Sequence, residues 1–416
     1  MNGLTVLFLA ALFVSSSLRI WLARRQLQHV GAHRDSVPAA FASEIGLAAH
    51  RKAADYTAAR TRLGVCELLL DLVLALAWTL GGGLTALDGA WRHAGLGPLA
   101  TGVLVIASFA LIGGVLGLPF SVWSTFVTEA RFGFNRTRPG TFVLDIIKML
   151  LLAALLGGPL LFAALWLIQF SGNWWWLYVW LLWMTFSLVL TWAFPVFIAP
   201  LFNRFTPLAD ASLKQRIESL LERCGFTSHG VFVMDGSARS AHGNAYFTGF
   251  GRHKRIVFFD TLMEKLSADE IEAVLAHELG HFRLHHVLQR LLVTALLSLA
   301  GLALLGWLAS NAWFYSGLGV AQASSYMALL LFMLLLPPCL FLLEPAMSAW
   351  SRHHEFQADA YASHQTDAGT LSHALVKLYR DNASTLTPDP VHSLFHDSHP
   401  PAAARIARLN AEAHAG

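Results

Sequence analysis

Residues 267–308 read SADEIEAVLAHELGHFRLHHVLQRLLVTALLSLAGLALLGWL, and the two halves of this stretch obey different rules. In the first half Ser267 and Glu270 have the spacing of a capping box, and Ile271, Val274, Leu275 and Leu279 follow at helical intervals. The second half, from about 287, is apolar over a length that crosses a bilayer. An amphipathic helix therefore runs up to the mouth of a transmembrane helix. It carries His277-Glu278-Leu279-Gly280-His281, with two imidazoles one turn apart on one face and a carboxylate on the flank. That is the spacing with which a helix offers two ligands to a zinc ion, and Glu278 is the general-base candidate for the water such an ion activates.

The rest of the chain repeats the membrane signal. Of 416 residues, 55% are hydrophobic and only 13% charged, which excludes a set of ordinary soluble domains. Apolar spans are expected at about 3–22, 64–85, 96–120, 142–169, 174–199, 287–308 and 324–348, seven in all. Pro337, Pro338 and Pro345 should kink the seventh. The chain thus divides into 1–199, five spans with basic loops; 200–286, a polar segment ending in the motif helix; 287–350, two more spans; and 351–416, a polar C-terminal segment. Short β-type runs at 231–234, 245–247 and 255–259 suggest a small sheet beside the motif helix. The fold class is an all-α multi-pass membrane protein with a small α+β catalytic region.

Charge gives the orientation. Between the first two spans lie Arg19, Arg24, Arg25, Arg34, Arg51, Lys52, Arg60 and Arg62, and the 121–141 loop adds Arg131, Arg136 and Arg138. The alternate connections hold only Asp88 and Arg92 or no charge. The positive-inside rule puts the N-terminus outside and every catalytic segment on the cytoplasmic side. The first span lacks a basic n-region and a cleavage site, so it reads as an uncleaved anchor. The net charge of +3 follows from this loop bias and implies no nucleic-acid partner. Cys66, Cys224 and Cys339 are unpatterned and form neither a disulfide framework nor a metal site.

A catalytic zinc takes three protein ligands and keeps one position open. Glu355 is the candidate third ligand, on a helix continuing out of the seventh span, with Asp359 one turn on to accept the free ring N–H of His277 or His281. His353 and His354 are alternative ligands, and His285 extends the 277/281 face as a solvated or helix-terminal charge. His281 and Glu355 each lie within about 10 Å of a span end at 1.5 Å per residue, so the metal is expected at or just inside the cytoplasmic membrane surface.

Together with these stretches, Arg239-Ser240-Ala241-His242-Gly243-Asn244-Ala245-Tyr246-Phe247, Gly133-Phe134-Asn135-Arg136-Thr137, Ser398-His399-Pro400-Pro401 and Arg405-Ile406 make the chain resemble the CAAX prenyl protease 1 family of multi-spanning membrane zinc endopeptidases. The resemblance implies one zinc per chain held by His277, His281 and Glu355, Glu278 as base, and Asn244 and Ala245 as the edge along which the substrate backbone lies. It also implies that His399 and Arg405 are active-site residues, either of which can donate a hydrogen bond to a developing oxyanion. The fold it implies is a barrel of seven helices around a water-filled chamber. Glu67, Asp71, Asp145 and Lys148 would then face that water, or, for Asp145 and Lys148, snorkel from span ends.

The expected partners are the lipid bilayer and a peptide or protein substrate, by resemblance one carrying a prenylated C-terminal CAAX cysteine. The same chemistry also suits quality control of unprenylated membrane proteins. A non-catalytic transporter or scaffold is the remaining reading, but it predicts inverted repeats, which are not evident, and a structural zinc would want four ligands and no Glu278. Low Lys against abundant Arg, Ala and Leu points to a bacterial inner membrane.

Overall fold

The computed structural model describes residues 2–248 and 253–415. Among these, six helices are long and apolar enough to cross a membrane: Gly3–Ala32, Pro98–Glu129, Pro139–Phe170, Gly172–Phe202, His286–Ala309 and Ser325–Gln365. The remaining span is a bent pair, Leu47–Trp78 and Gly83–Arg92, meeting at 56°. The second span, expected unbroken over 64–85, therefore ends at Trp78. The break is made by glycine: a Cβ on Gly81 or Gly83 would lie 2.8 or 2.9 Å from the Ala77 carbonyl oxygen, and Gly82 sits at φ 79°. Beyond the turn, Asp88 is buried, accepting from Arg92 at 2.8 Å and from the Tyr326 hydroxyl at 2.6 Å.

Other departures from straight helices occur at prolines and glycines. Wide π-type turns occupy Ser124–Glu129, Ala153–Gly157 and Phe194–Ile198, beside or containing Pro119, Pro159 and Pro195, whose rings remove a helix N–H. In the last span the helix Ser325–Leu340 passes through a 3-10 turn at Phe341–Leu343 into Glu344–Gln365, a local change of helix geometry between Pro337, Pro338 and Pro345.

The spans form a wall rather than a packed bundle. In the third, fourth and fifth, only 6% of the apolar window is buried within the protein, so both helix faces lie open. The packing concentrates at the two ends. One core gathers Phe8, Leu84, Val105, Leu165, Leu305, Phe314 and Leu331 at the end away from the motif helix. The other joins Ile217, Leu220, Ile256, Phe258, Leu275, Leu279, Leu371 and Ile406 in the catalytic region. Between them opens a cavity of about 900 Å³ whose lining includes Gln26, Tyr56, Arg60, Glu67, Ser124 and His242. This is a barrel with a polar chamber. Glu67 faces it as expected, whereas Asp145 accepts two bonds from Arg239 at 2.9 and 3.0 Å and Lys148 donates to the Leu201 carbonyl at 2.6 Å, so both are tied to protein at the catalytic end.

Among the described residues the small sheet has four strands, β1 (Phe205–Pro207), β2 (Thr227–Met234), β3 (Ala245–Thr248) and β4 (His253–Phe259), in the order β1-β2-β4-β3. Three of them follow the apolar runs; β1 is an addition of three residues, antiparallel to β2. The central pair is parallel, with Val231 opposite Ile256 and Val233 opposite Phe258. β3 pairs antiparallel to β4 and, among the described residues, has no strand on its other side, so its outer edge can take an extended chain.

Candidate active site

The motif helix is Ala268–Arg283, and it starts where the capping box placed it: the Ser267 hydroxyl accepts from the Glu270 N–H, and the Glu270 carboxylate accepts from the Ser267 N–H at 2.8 Å. One face buries Ile271, Leu275 and Leu279. The face with His277 and His281 meets the helix Glu344–Gln365, and the contact is unusually close. A Cβ on Gly280 would lie 3.1 Å from the Ala358 Cα, so the glycine of the motif and the small Ala358 set the separation of the two ligand-bearing helices.

That separation brings three donors together. His277 Nε2 and His281 Nε2 are 3.3 Å apart, and each is 3.4 Å from an oxygen of Glu355. Among the described residues, this is the one group of His, Cys, Asp or Glu whose ligand atoms converge within 4.8 Å. Asp359 lies 2.9 Å from His277 Nδ1, so the ring N–H is committed there and the Nε2 lone pair faces the cluster. Glu355 Oε2 is buried without a hydrogen-bond partner. Two imidazole nitrogens and an unpartnered carboxylate oxygen converging on one point repel each other unless a cation lies among them. The donor set fits a divalent metal with one coordination position left open. Burial pushes the His281 pKa down to about 3, so its ring is neutral.

Glu278 borders the cavities on either side of the trio and its carboxyl is pushed above the ordinary carboxylate value, chiefly by burial. Arg405 and His399 part company. Arg405 is 5% exposed and lies behind His277, donating from Nε and Nη2 to the two oxygens of Asp359 at 2.6 Å each. His399 is 65% exposed, with Nε2 3.5 Å from Glu355 Oε1, and borders the open side of the site.

Asn244 and Ala245 lie where β3 begins, beside the trio. Gly243, Asn244 and Ala245 line a cavity of about 180 Å³ on one side of it, together with Leu262, Val274, Leu371, Leu375 and Leu378. Ala245, Tyr246 and Phe247 line a second cavity, of about 300 Å³, on the other. The edge strand thus runs past the metal-ligand cluster from one cavity to the next. Its approach is pinned by His242 to Glu129 at 3.3 Å and by Asn382, which takes the Gly243 N–H at 3.1 Å and gives its amide to the Gly243 carbonyl at 3.3 Å.

Three expectations are corrected in detail. His285 is exposed at the helix end as expected but does not extend the 277/281 face; it sits at φ 60°, where the chain turns from the motif helix into the sixth span. His354 is not placed as a ligand, since its ring stacks on His286 at 4.0 Å. His353, the other alternative ligand, is exposed and outside the converging trio. Sequence reasoning also passed over His286 and Asn382, neither of which has a local signature.

Comparison with known proteins covers nearly the whole chain. Residues 26–204 match the family model for the CAAX prenyl protease N-terminal, five membrane helices, and residues 207–413 match that for peptidase family M48. The CAAX prenyl protease 1 of Saccharomyces cerevisiae is 40% identical over 71% of this chain and 69% of its own length. The chain belongs to the CAAX prenyl protease 1 family. A homologue from Oryza sativa subsp. japonica is 38% identical over 73% of both chains, and the Homo sapiens homologue 32% over 76% of both. The crystal structure of S. mikatae Ste24p superposes with a TM-score of 0.90 at 33% identity, covering 98% of this chain and 99% of that one. The protein is therefore a multi-pass membrane metalloendopeptidase with a metal cofactor, acting on peptide or protein substrates.

Proposed function

We propose that the metal is zinc, held by His277, His281 and Glu355, and that the enzyme removes the C-terminal tripeptide from prenylated CAAX substrates at the cytoplasmic face of a bacterial inner membrane. The observation that carries the substrate reading is the cavity beside Asn244 and Ala245. Its walls of Leu262, Val274, Leu371, Leu375 and Leu378 suit an aliphatic side chain next to the scissile bond, and His277 and Glu355 of the ligand cluster line it as well. The arginine-rich loops 19–62 and 121–141 support the orientation.

Zinc bound there supplies Lewis acidity toward the scissile carbonyl and its attacking water. The chain does the rest. The free edge of β3 takes the substrate backbone as an added strand, which gives affinity with little sequence demand. Glu278 removes the proton of the water and returns it to the leaving amine, and its burial makes it a stronger base than an exposed carboxylate. His399, on the open side, donates to the carbonyl oxygen as negative charge develops. Arg405 borders the same cavity, holds Asp359 with two hydrogen bonds and places Nη2 3.1 Å from His277 Nδ1 and 3.7 Å from Glu355 Oε2, so its charge steadies the ligand set directly.

The test is cleavage of a quenched-fluorescent farnesylated CAAX peptide and its unprenylated twin by detergent-purified protein, with Glu278→Ala and a chelator as controls. Faster cleavage of the farnesylated peptide, lost in both controls, is expected. Equal cleavage of the twins would replace prenyl dependence with a broader membrane-protein quality-control role, and cleavage that survives Glu278→Ala would remove the base assignment.

A further inference from the structure

Beneath His281, on the side away from the ligand cluster, lies a chain of polar contacts that the reaction does not use directly. His281 Nδ1 is 3.0 Å from His286 Nδ1, and His286 Nε2 is 2.9 Å from Gln357 Oε1. With both rings neutral, these contacts set the direction of each proton. The Gln357 amide oxygen only accepts, so His286 must carry its hydrogen on Nε2. A neutral His286 then has a lone pair on Nδ1, and His281 must donate to it from its own Nδ1. The remaining nitrogen of His281, Nε2, is left with its lone pair pointed at the cluster, 3.4 Å from Glu355.

At its centre the relay is also buried and packed. His286 is 1% exposed, its ring stacks on His354 with 4.0 Å between centroids and planes 5° apart, and His354 packs against Trp350 at 4.7 Å. Gln357 is two residues beyond Glu355 on the same helix, so the relay begins on one ligand-bearing helix and ends on the other. His277 has its counterpart in Asp359 and Arg405, an anionic support; His281 has a neutral one.

We propose that His286 and Gln357 are positioning residues that fix the tautomer and ring plane of His281 as a metal ligand. This rests on reading His277, His281 and Glu355 as the zinc site, so Glu355→Gln is included to test that reading by itself: if it retains wild-type zinc affinity, the site assignment fails and not the relay. The measurement is the zinc dissociation constant of the full-length protein in detergent, by competition with a chromophoric chelator, with cobalt substitution as a spectroscopic check on ligand geometry. Partners of this kind contribute about 10–100-fold in metal affinity. His286→Ala should weaken zinc by that factor and alter the cobalt ligand-field bands. His286→Asn, whose amide oxygen can accept from His281 Nδ1, should recover most of the loss. Gln357→Leu should weaken zinc less, and because Gln357 acts through His286 its effect should vanish in the H286A background. Wild-type zinc affinity in H286A, or an undiminished Gln357→Leu effect in that background, overturns the proposal. Should H286A fail to fold, Gln357→Leu decides alone: weakened zinc with an unchanged melting temperature supports the relay, and unchanged affinity refutes it.

Discussion

Gly280→Ala is the substitution for which the structure gives the sharpest forecast. The new methyl would meet the Ala358 Cα at 3.1 Å, the Tyr361 ring at 3.2 Å and the Ala358 carbonyl oxygen at 3.3 Å. Two of these atoms are backbone, so the helices must part by a few tenths of an ångström. Overpacking of this kind costs about 1–3 kcal/mol, while exchanging glycine for alanine inside a helix returns about 1 kcal/mol, leaving a net loss of roughly 0–2 kcal/mol. The metal site has less tolerance, because ligand distances are held within about 0.2 Å and the two helices carry the ligands between them. The expected result is a melting temperature close to wild type and a zinc affinity at least about tenfold weaker, with kcat/KM falling in step. Thermal unfolding in detergent and chelator competition measure the two quantities on one preparation. A variant that binds zinc as tightly as wild type would refute the claim that Gly280 sets the ligand geometry.

Three further outcomes follow from the same geometry. Glu278→Gln should retain zinc but lose about 10²–10⁴-fold in kcat, measured with the peptide assay on metal-loaded enzyme; loss of zinc would mean that Glu278 ligates. Glu278 must be ionised to accept a proton and burial raises its pKa above 4.5, so kcat/KM should fall with decreasing pH at a higher pH than an ordinary carboxylate would impose; a profile flat down to pH 4.5 contradicts this. Arg405→Ala leaves the buried Asp359 carboxylate without its cation and should destabilise the catalytic region by about 3–5 kcal/mol, seen as a lowered melting temperature, with Arg405→Lys in between.

What could be read in the sequence was what is encoded locally. The capping box, the motif helix and the seven apolar segments each depend on residues within a few turns of one another. Glu355 and Asp359 were legible because a helix leaving the seventh span has only one face on which both can point. The break at Thr79–Gly82 was lost because hydropathy averaged over a span hides three consecutive glycines. His286 was missed for a related reason: extending the 277/281 face one more turn assumes an unbroken helix, whereas the positive φ of His285 swings the chain so that His286 returns beneath His281. Asn382 and the pairing of Arg405 with Asp359 join segments 139 and 46 residues apart, and no periodicity reports such contacts.

The last span behaves mechanically as a lever. Its hinge is the turn at Phe341–Leu343, and Glu355 rides on the arm beyond it, about 16 Å from Glu344 at 1.5 Å per residue. Swinging that arm by about two degrees moves the carboxylate by about 0.6 Å, more than a metal ligand tolerates. The hinge is steadied from its far side, where Tyr326, Met327, Leu330 and Leu331 of the same rod are sunk in the core at the opposite end of the barrel. Side chains at the opposite end of the barrel thereby share one continuous rod with the Glu355 carboxylate and help to aim it.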